Sequence, residues 1–165
     1  MNRRNLRKTI NFLKNSPPPI FNMDSWFEIR DIAYTSYGDV LRLIEREQIK
    51  KPECGTSACL AGTIQFNAAK TLKEKNTHAI SFATTFLNVP YSSALILFTH
   101  SETYGTDDLN NVKQIDVENT LIALFNTKSP LDALLTYEPQ NKSYSDLSLL
   151  DHLNALPKIK PSRRY

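Results

Sequence analysis

Long apolar runs are missing from this sequence of 165 residues. The longest, such as residues 94–98, are far shorter than the roughly 20 residues that a bilayer-spanning helix requires. The basic start of the chain, residues 1–8, is followed by neither an apolar segment nor the small-residue cleavage site of a secretory signal peptide. We therefore expect no membrane span and no export, and hence a cytoplasmic protein.

Cysteine is also scarce, with only Cys54 and Cys59. One bridge across so short a loop does not make the disulfide scaffold of a small secreted domain, which needs a higher cysteine density. We interpret both side chains as thiols in a reducing cytoplasm. With 165 residues, of which 41% are hydrophobic, the chain is large enough to bury one core. Residues 1–165 are therefore expected to form a single domain.

Acidic residues are absent from both ends of the chain. Residues 1–14 and 157–165 carry nine basic side chains, which leaves 11 basic against 17 acidic residues in the body. Basic tails on an acidic body would suit a phosphate or an acidic partner protein, or would serve solubility alone. Nucleic acid is not the expected partner, because a nucleic-acid surface usually makes the whole domain basic. The nine are Arg3, Arg4, Arg7, Lys8, Lys14, Lys158, Lys160, Arg163 and Arg164.

The apolar spacing is helical almost throughout, and alternation over a strand length is hard to find. Leu6, Ile10 and Leu13 share one face of a first helix. Asp24 is a suitable N-cap for a second helix, which Gly38 and Asp39 would break. We predict an all-α fold, a single compact irregular bundle of seven or eight short helices with basic N- and C-terminal tails.

Residues 52–62, PECGTSACLAG, hold both cysteines and two of the four glycines. Gly55 allows a sharp turn, and Thr56 or Ser57 can cap a helix that would run to about residue 75. Cys59 then lies in the first helical turn. Exposed amides and the positive end of the helix dipole favour an anion there, either a phosphate or a thiolate.

Three functional interpretations fit this expected helix start. In the first, it binds a phosphate or carboxylate, with Lys50 and Lys51 adding charge and Trp26 stacking on a base. In the second, Cys54 or Cys59 is a nucleophile, but the three histidines stand in no recognisable relation to either cysteine. In the third, the thiols bind a metal, although the close ligand pairs of zinc sites are missing.

A purely structural interpretation stands beside these three. The first half of the expected helix is rich in small residues, among them Ala58, Ala61 and Gly62, which let neighbouring helices approach closely. Leu60 and Ile64 leave it little polar face. On this interpretation the segment is buried packing, and the cysteines are small apolar residues.

The sequence resembles a family of small, largely uncharacterised phage and bacterial proteins. The resemblance rests on FNMDSW (residues 21–26), CGTSACLAG (residues 54–62) and FLNVPYSSALILF (residues 86–98). The family pattern is a Cys-Gly-Thr-x-x-Cys-x-x-Gly helix entry followed by a Leu-Gly-Leu turn. Asn88 departs from it, standing where the family has glycine. The resemblance implies an all-helical fold and an origin in a phage or mobile element, and it carries no established reaction.

These observations predict a non-enzymatic binding protein that takes a small anionic ligand, such as a nucleotide-type signal of host defence. The alternative is an inhibitor that binds a host protein through an exposed helix face and the basic tails, and a cysteine-dependent enzyme ranks third. No catalytic residue, metal or cofactor is assigned, and a homodimer stays open. The predicted ligand-binding residues are Cys54, Gly55, Thr56, Ser57, Cys59, Lys50, Lys51 and Trp26.

Overall fold

A computed structural model describes residues 1–15, 20–21, 23, 27–29, 32–45, 56–137 and 148–159. Within these ranges the chain forms nine α-helices, so the predicted helical bundle is confirmed. The helices are α1 (Arg3–Asn15), α2 (Tyr37–Glu45), α3 (Leu60–Ala68), α4 (Leu72–Lys75), α5 (Ala79–Leu87), α6 (Tyr91–Thr99), α7 (Gln114–Asn126), α8 (Pro130–Thr136) and α9 (Leu149–Ala155). Two short 3-10 segments, Ser101–Tyr104 and Leu109–Asn111, lie between α6 and α7.

The bundle also contains a small four-stranded sheet that the periodicity did not predict. Its strands are β1 (Ile20–Phe21), β2 (Phe27–Ile29), β3 (Ile32–Tyr34) and β4 (Thr56–Ala58), in the spatial order β1-β4-β2-β3. Strand β4 pairs parallel with β1 and antiparallel with β2, and β2 pairs antiparallel with β3. The second helix expected after Asp24 is therefore wrong, because two strands stand in its place.

The N-terminal basic segment is a packed helix and not a tail. On α1, Leu6 and Leu13 are fully buried, and Ile10 keeps 8% of its surface exposed. Their spacing places them on one face of the helix together with the buried Thr9, while Arg4 and Arg7 are exposed. The helix ends at Asn15, two residues before Pro17, which cannot continue it.

A buried glutamine explains why the helix that was expected to reach residue 75 breaks into α3 and α4. Gln65 is fully buried, and its side-chain oxygen accepts from the backbone N–H of Tyr37 at 2.9 Å. Its amide nitrogen donates to the carbonyls of Glu74 (2.8 Å) and Thr77 (2.6 Å). The side chain thus satisfies backbone groups at the start of α2 and the end of α4, which requires α4 to fold back beside α3.

Gly38 lies inside α2 and does not break a helix. A Cβ atom at this position would stand 1.9 Å from the side-chain oxygen of Asn76, the residue that ends α4. Any larger residue here would force the Asn76 side chain to move, so glycine lets α2 and α4 approach closely.

Candidate functional site

The sequence-predicted anion site at residues 54–62 is only partly within the described ranges. Cys54, Gly55, Lys50, Lys51 and Trp26 lie outside the residues that the structure describes, so their part in ligand binding stays a prediction. Thr56, Ser57 and Cys59 are described.

Thr56 and Ser57 do not cap a helix, because both belong to β4. Ser57 pairs with Ile20 of β1 on one side and with Glu28 of β2 on the other. A strand with partners on both sides uses its backbone N–H and C=O groups in the sheet. The capping role predicted for these two residues is wrong, and the reason is that the sheet forms from segments distant in sequence.

Cys59 takes the N-cap position of α3 instead of a place in its first turn. Its sulfur accepts from the backbone N–H of Gly62 at 3.5 Å, and its carbonyl accepts from the N–H of Thr63 at 2.8 Å. The side chain is fully buried, and this burial raises the pKa of the Cys59 thiol to about 12. The thiol is therefore protonated at neutral pH, a state that suits packing and not nucleophilic attack.

The first six residues of α3 are all buried, from Leu60 to Gln65. A helix start covered in this way has no open surface above its first amides. The described part of residues 52–62 thus matches the packing interpretation, with small residues at a helix entry inside the core.

The structure reveals a different candidate site, which we call the basic groove. It is a cavity of about 1100 Å³ between α1, α7, α9 and the segment that follows α9. Four of the described residues that line it are cationic, and none of them is acidic. The four are Arg3, Arg4, Arg7 and Lys158.

The basic groove is lined by apolar side chains, which we call its floor, and by amides. The floor consists of Ile122, Ala123 and Phe125 of α7 together with Leu150 of α9 and Ile159. The amides are those of Asn119, Asn126 and Asn154. An apolar floor with a few convergent polar groups is the usual composition of a small-molecule site.

Arg3 is held firmly by the C-terminal end of α7. Its guanidinium donates to the carbonyl oxygens of Phe125 (2.5 Å), Thr127 (2.5 Å) and Lys128 (2.7 Å). These are carbonyls that a helix end leaves without partners, and a cation there also suits the negative end of the helix dipole. Arg3 therefore positions α1 against α7.

The other three cations differ in their engagement. The Arg7 guanidinium lies over the ring of Phe125, 5.0 Å from its centroid. Lys158 donates to the carbonyl of Leu153 at 2.5 Å, near the end of α9. Arg4 is exposed, and the structure gives it no hydrogen bond to another described residue.

The segment after α9 is fixed along one side of the groove by backbone pairing. Lys158 pairs with Thr127 in an antiparallel bridge. The N–H of Lys128 donates to the carbonyl of Pro157 at 3.1 Å, and the N–H of Ile159 donates to the carbonyl of Asn126 at 2.9 Å. This pairing brings basic residues from both ends of the chain, Arg4 and Lys158 among them, to one surface.

These charges are visible in the sequence, but the groove is not. Arg3, Arg4, Arg7 and Lys158 are among the nine basic residues at the two ends of the chain. Asn119, Phe125 and Asn154 carried no signal at all, because single asparagines and a phenylalanine on amphipathic helices are common. The sequence did not predict the backbone pairing that holds the segment after α9 against the end of α7 and so forms the groove.

Comparisons of the chain with protein-family models, curated proteins and solved structures found no match. The resemblance to small phage and bacterial proteins therefore stays a prediction. Among the described residues, no group of three or more His, Cys, Asp or Glu side chains is placed to hold a metal ion. No single helix in these ranges is long and apolar enough to cross a membrane; α5 and α6, bent by 118° where they meet, pass that test only as a pair, by length and composition.

Proposed function

We propose that this chain is a binding protein whose ligand is a small phosphate-bearing anion held in the basic groove. The observation that carries the proposal is the set of four cations around one cavity with no acidic side chain among its described lining residues. Clefts lined by one sign of charge raise the local concentration of the opposite ion. The class of ligand is the one expected from the sequence, and the site differs.

The state of Cys59 argues against this residue as the nucleophile of the cysteine-enzyme alternative, while Cys54 lies outside the described residues. A catalytic cysteine needs an accessible thiolate, and the buried Cys59 thiol has a pKa of about 12. We further propose the biological setting that the resemblance implies, a phage or mobile element. A binder in that setting would act by keeping an anionic host signal from its receptor.

Calorimetric titration with pyrophosphate tests the groove, using Arg4→Ala, Arg7→Ala and a matched control, Lys8→Ala. All three substitutions remove one positive charge from α1, but Lys8 does not line the groove. We expect Arg4→Ala and Arg7→Ala each to weaken binding about tenfold, the worth of a charge-assisted hydrogen bond. Lys8→Ala should stay within about twofold, since Lys8 is exposed and outside the groove, makes no hydrogen bond to the ligand and acts only through solvent.

Two results would contradict the proposal. If wild-type protein gives no saturable pyrophosphate binding, the groove is not an anion site. If Lys8→Ala weakens binding as much as Arg4→Ala does, the attraction is a general property of the basic helix and not of the groove.

The alternative of a host-protein partner is supported by apolar side chains that stand in solvent. Leu72 on α4 is 74% exposed, and Ile115 on α7 is 54% exposed. Because α1 is part of the core, truncation of residues 1–14 would unfold the protein and could not test this alternative. Leu72→Ser and Ile115→Ser are the suitable variants: loss of partner capture with unchanged pyrophosphate binding would favour the alternative.

A further inference from the structure

We propose that the ligand of the basic groove is a nucleoside polyphosphate and not a bare phosphate or another small dianion. This inference rests on the proposed function and adds the ligand's second half, a planar base. It follows from three features of the groove that a phosphate alone would leave unused: an aromatic ring, free amides and an apolar floor.

The aromatic ring is that of Phe125, which is half-buried on α7 and lines the groove. The Arg7 guanidinium lies 5.0 Å from its centroid. The guanidinium covers one face of the ring, so this layered pair offers a base a flat surface to stack on, either the guanidinium plane or the other face of the ring. Bases stack on aromatic rings and on guanidinium planes alike.

The amides belong to Asn119 and Asn126, seven residues apart on α7, and to Asn154 on α9. All three are exposed, and the structure gives their side chains no hydrogen bond to other described residues. Residues seven apart lie on the same face of a helix. An asparagine amide both donates and accepts, which suits the edge of a base or the hydroxyls of a ribose.

The cations divide the remaining work between them. Arg3 already donates to three carbonyls at the end of α7, so we assign it a positioning role. The phosphates then fall to Arg4 and Arg7. Lys158 also lines the groove, and with one N–H given to the carbonyl of Leu153 its ammonium keeps two further donors. A guanidinium has five N–H donors, so Arg7 can lie over a ring and still bind a phosphate oxygen. The cavity of about 1100 Å³ is ample for a nucleotide.

The test compares ADP with pyrophosphate by calorimetry on the full chain, in wild-type protein and in Phe125→Leu. Leucine keeps the floor apolar but removes the ring. We expect wild-type protein to bind ADP about tenfold more tightly than pyrophosphate, the typical worth of stacking one base. In Phe125→Leu that preference should fall to about twofold or less, while pyrophosphate affinity stays within about twofold of wild type.

Phe66→Leu is the control, because it makes the same substitution at a more exposed ring that lies outside the groove. It should leave both affinities unchanged, and thermal unfolding should verify that each variant is folded. Equal binding of ADP and pyrophosphate by wild-type protein would overturn this inference and leave the proposed function standing. An ADP preference that survives Phe125→Leu would also overturn it, whereas failure of pyrophosphate itself to bind would remove the proposed function as well.

Discussion

The entry of α3 and the basic groove are two regions where a helical protein can receive an anion, and folding treats them in opposite ways. At α3, Cys59 caps the helix from inside the core, and β4 just before it is paired on both sides. At the groove, Arg4 and Arg7 stay at the surface beside a cavity. The first region is closed by its neighbours, and the second stays open.

These two regions show which sequence features still offer a binding surface once the chain has folded. When a helix start is buried, its amide N–H groups must form hydrogen bonds within the protein, because unpaired buried N–H groups are costly. They are then not available to a ligand. Cationic side chains behave otherwise, since their charges cannot be buried cheaply and so remain in solvent. In this chain the small residues and the cysteine at the entry of α3 therefore indicate packing. The clustered cations of the groove remain accessible to an anion.

The largest expected effect is the loss of the buried glutamine that closes the α3 region. Gln65→Met keeps the side-chain volume but removes the hydrogen bonds that Gln65 makes with backbone groups of Tyr37, Glu74 and Thr77. We expect the free energy of unfolding to fall by about 3 kcal/mol, because each unsatisfied buried group costs about 1–3 kcal/mol. Urea denaturation measures it.

Asn67→Ala is the control for this prediction, since Asn67 lies two residues further along α3 and donates to the carbonyl of Thr63 at 3.0 Å. It is half-buried and should cost about 1 kcal/mol or less. Equal losses in the two variants would show that Gln65 is not the residue that closes this region.

Arg3→Ala tests the groove region, because Arg3 anchors α1 to α7 there. Its three bonds to carbonyls of Phe125, Thr127 and Lys128 are charge-assisted and partly exposed. We expect the free energy of unfolding to fall by about 2 kcal/mol. Arg4→Ala, next to it and exposed, should change it by less than about 0.5 kcal/mol, and an equally large loss there would refute the anchoring role.

The pH dependence of stability reports on the burial of Cys59. The pKa of its thiol is about 12 in the folded protein against 9.0 as the ordinary value. The folded protein therefore keeps a proton that the unfolded chain releases, and the free energy of unfolding falls as pH rises from about 9 to about 12. In a Cys54→Ser background, we expect this fall to be steeper than in the same protein carrying Cys59→Ala.

The difference in slope approaches about 1.4 kcal/mol per pH unit, the equivalent of one proton. Burial, and to a smaller extent the charge of Cys59, raises the pKa of Tyr104 as well, but burial is the larger cause and is the same in both proteins. Identical slopes between pH 9 and 10.5 in urea denaturation would mean that the Cys59 thiol is open to solvent.

The smallest expected effect concerns Asn88, which ends α5 where it contacts the groove helix α1. Asn88 has φ of 52° and ψ of 62°, the left-handed conformation. Asn88→Gly should raise the free energy of unfolding by a few tenths of a kcal/mol, and Asn88→Ala should lower it by about 1 kcal/mol. If alanine is tolerated without loss in thermal denaturation, this turn contributes nothing to the position of α1.

Helical periodicity predicted most of the bundle correctly. The spacing of Leu6, Ile10 and Leu13 predicted the buried face of α1. Such features depend on residues close together in the sequence, which is why pattern reasoning finds them.

The strands and the groove were not predictable in the same way. Each of β2, β3 and β4 has three residues, too few for alternation to be told from a helical turn. β2 and β3 are neighbours in the chain, but β4 pairs with segments about 30 residues away, Glu28 with Ser57 for example. The groove depends on a connection of similar range, from Thr127 to Lys158. Contacts of this range depend on the whole chain and leave no local pattern.

The most direct test of anion binding in the basic groove is amide chemical-shift mapping by NMR during a titration with pyrophosphate. We expect the largest shifts in residues 3–7, in residues 119–126 and in residues 154–159, with little change in residues 59–64. The opposite pattern, with the largest shifts at residues 56–62 and none along α1 and α7, would contradict it and return the binding site to the entry of α3.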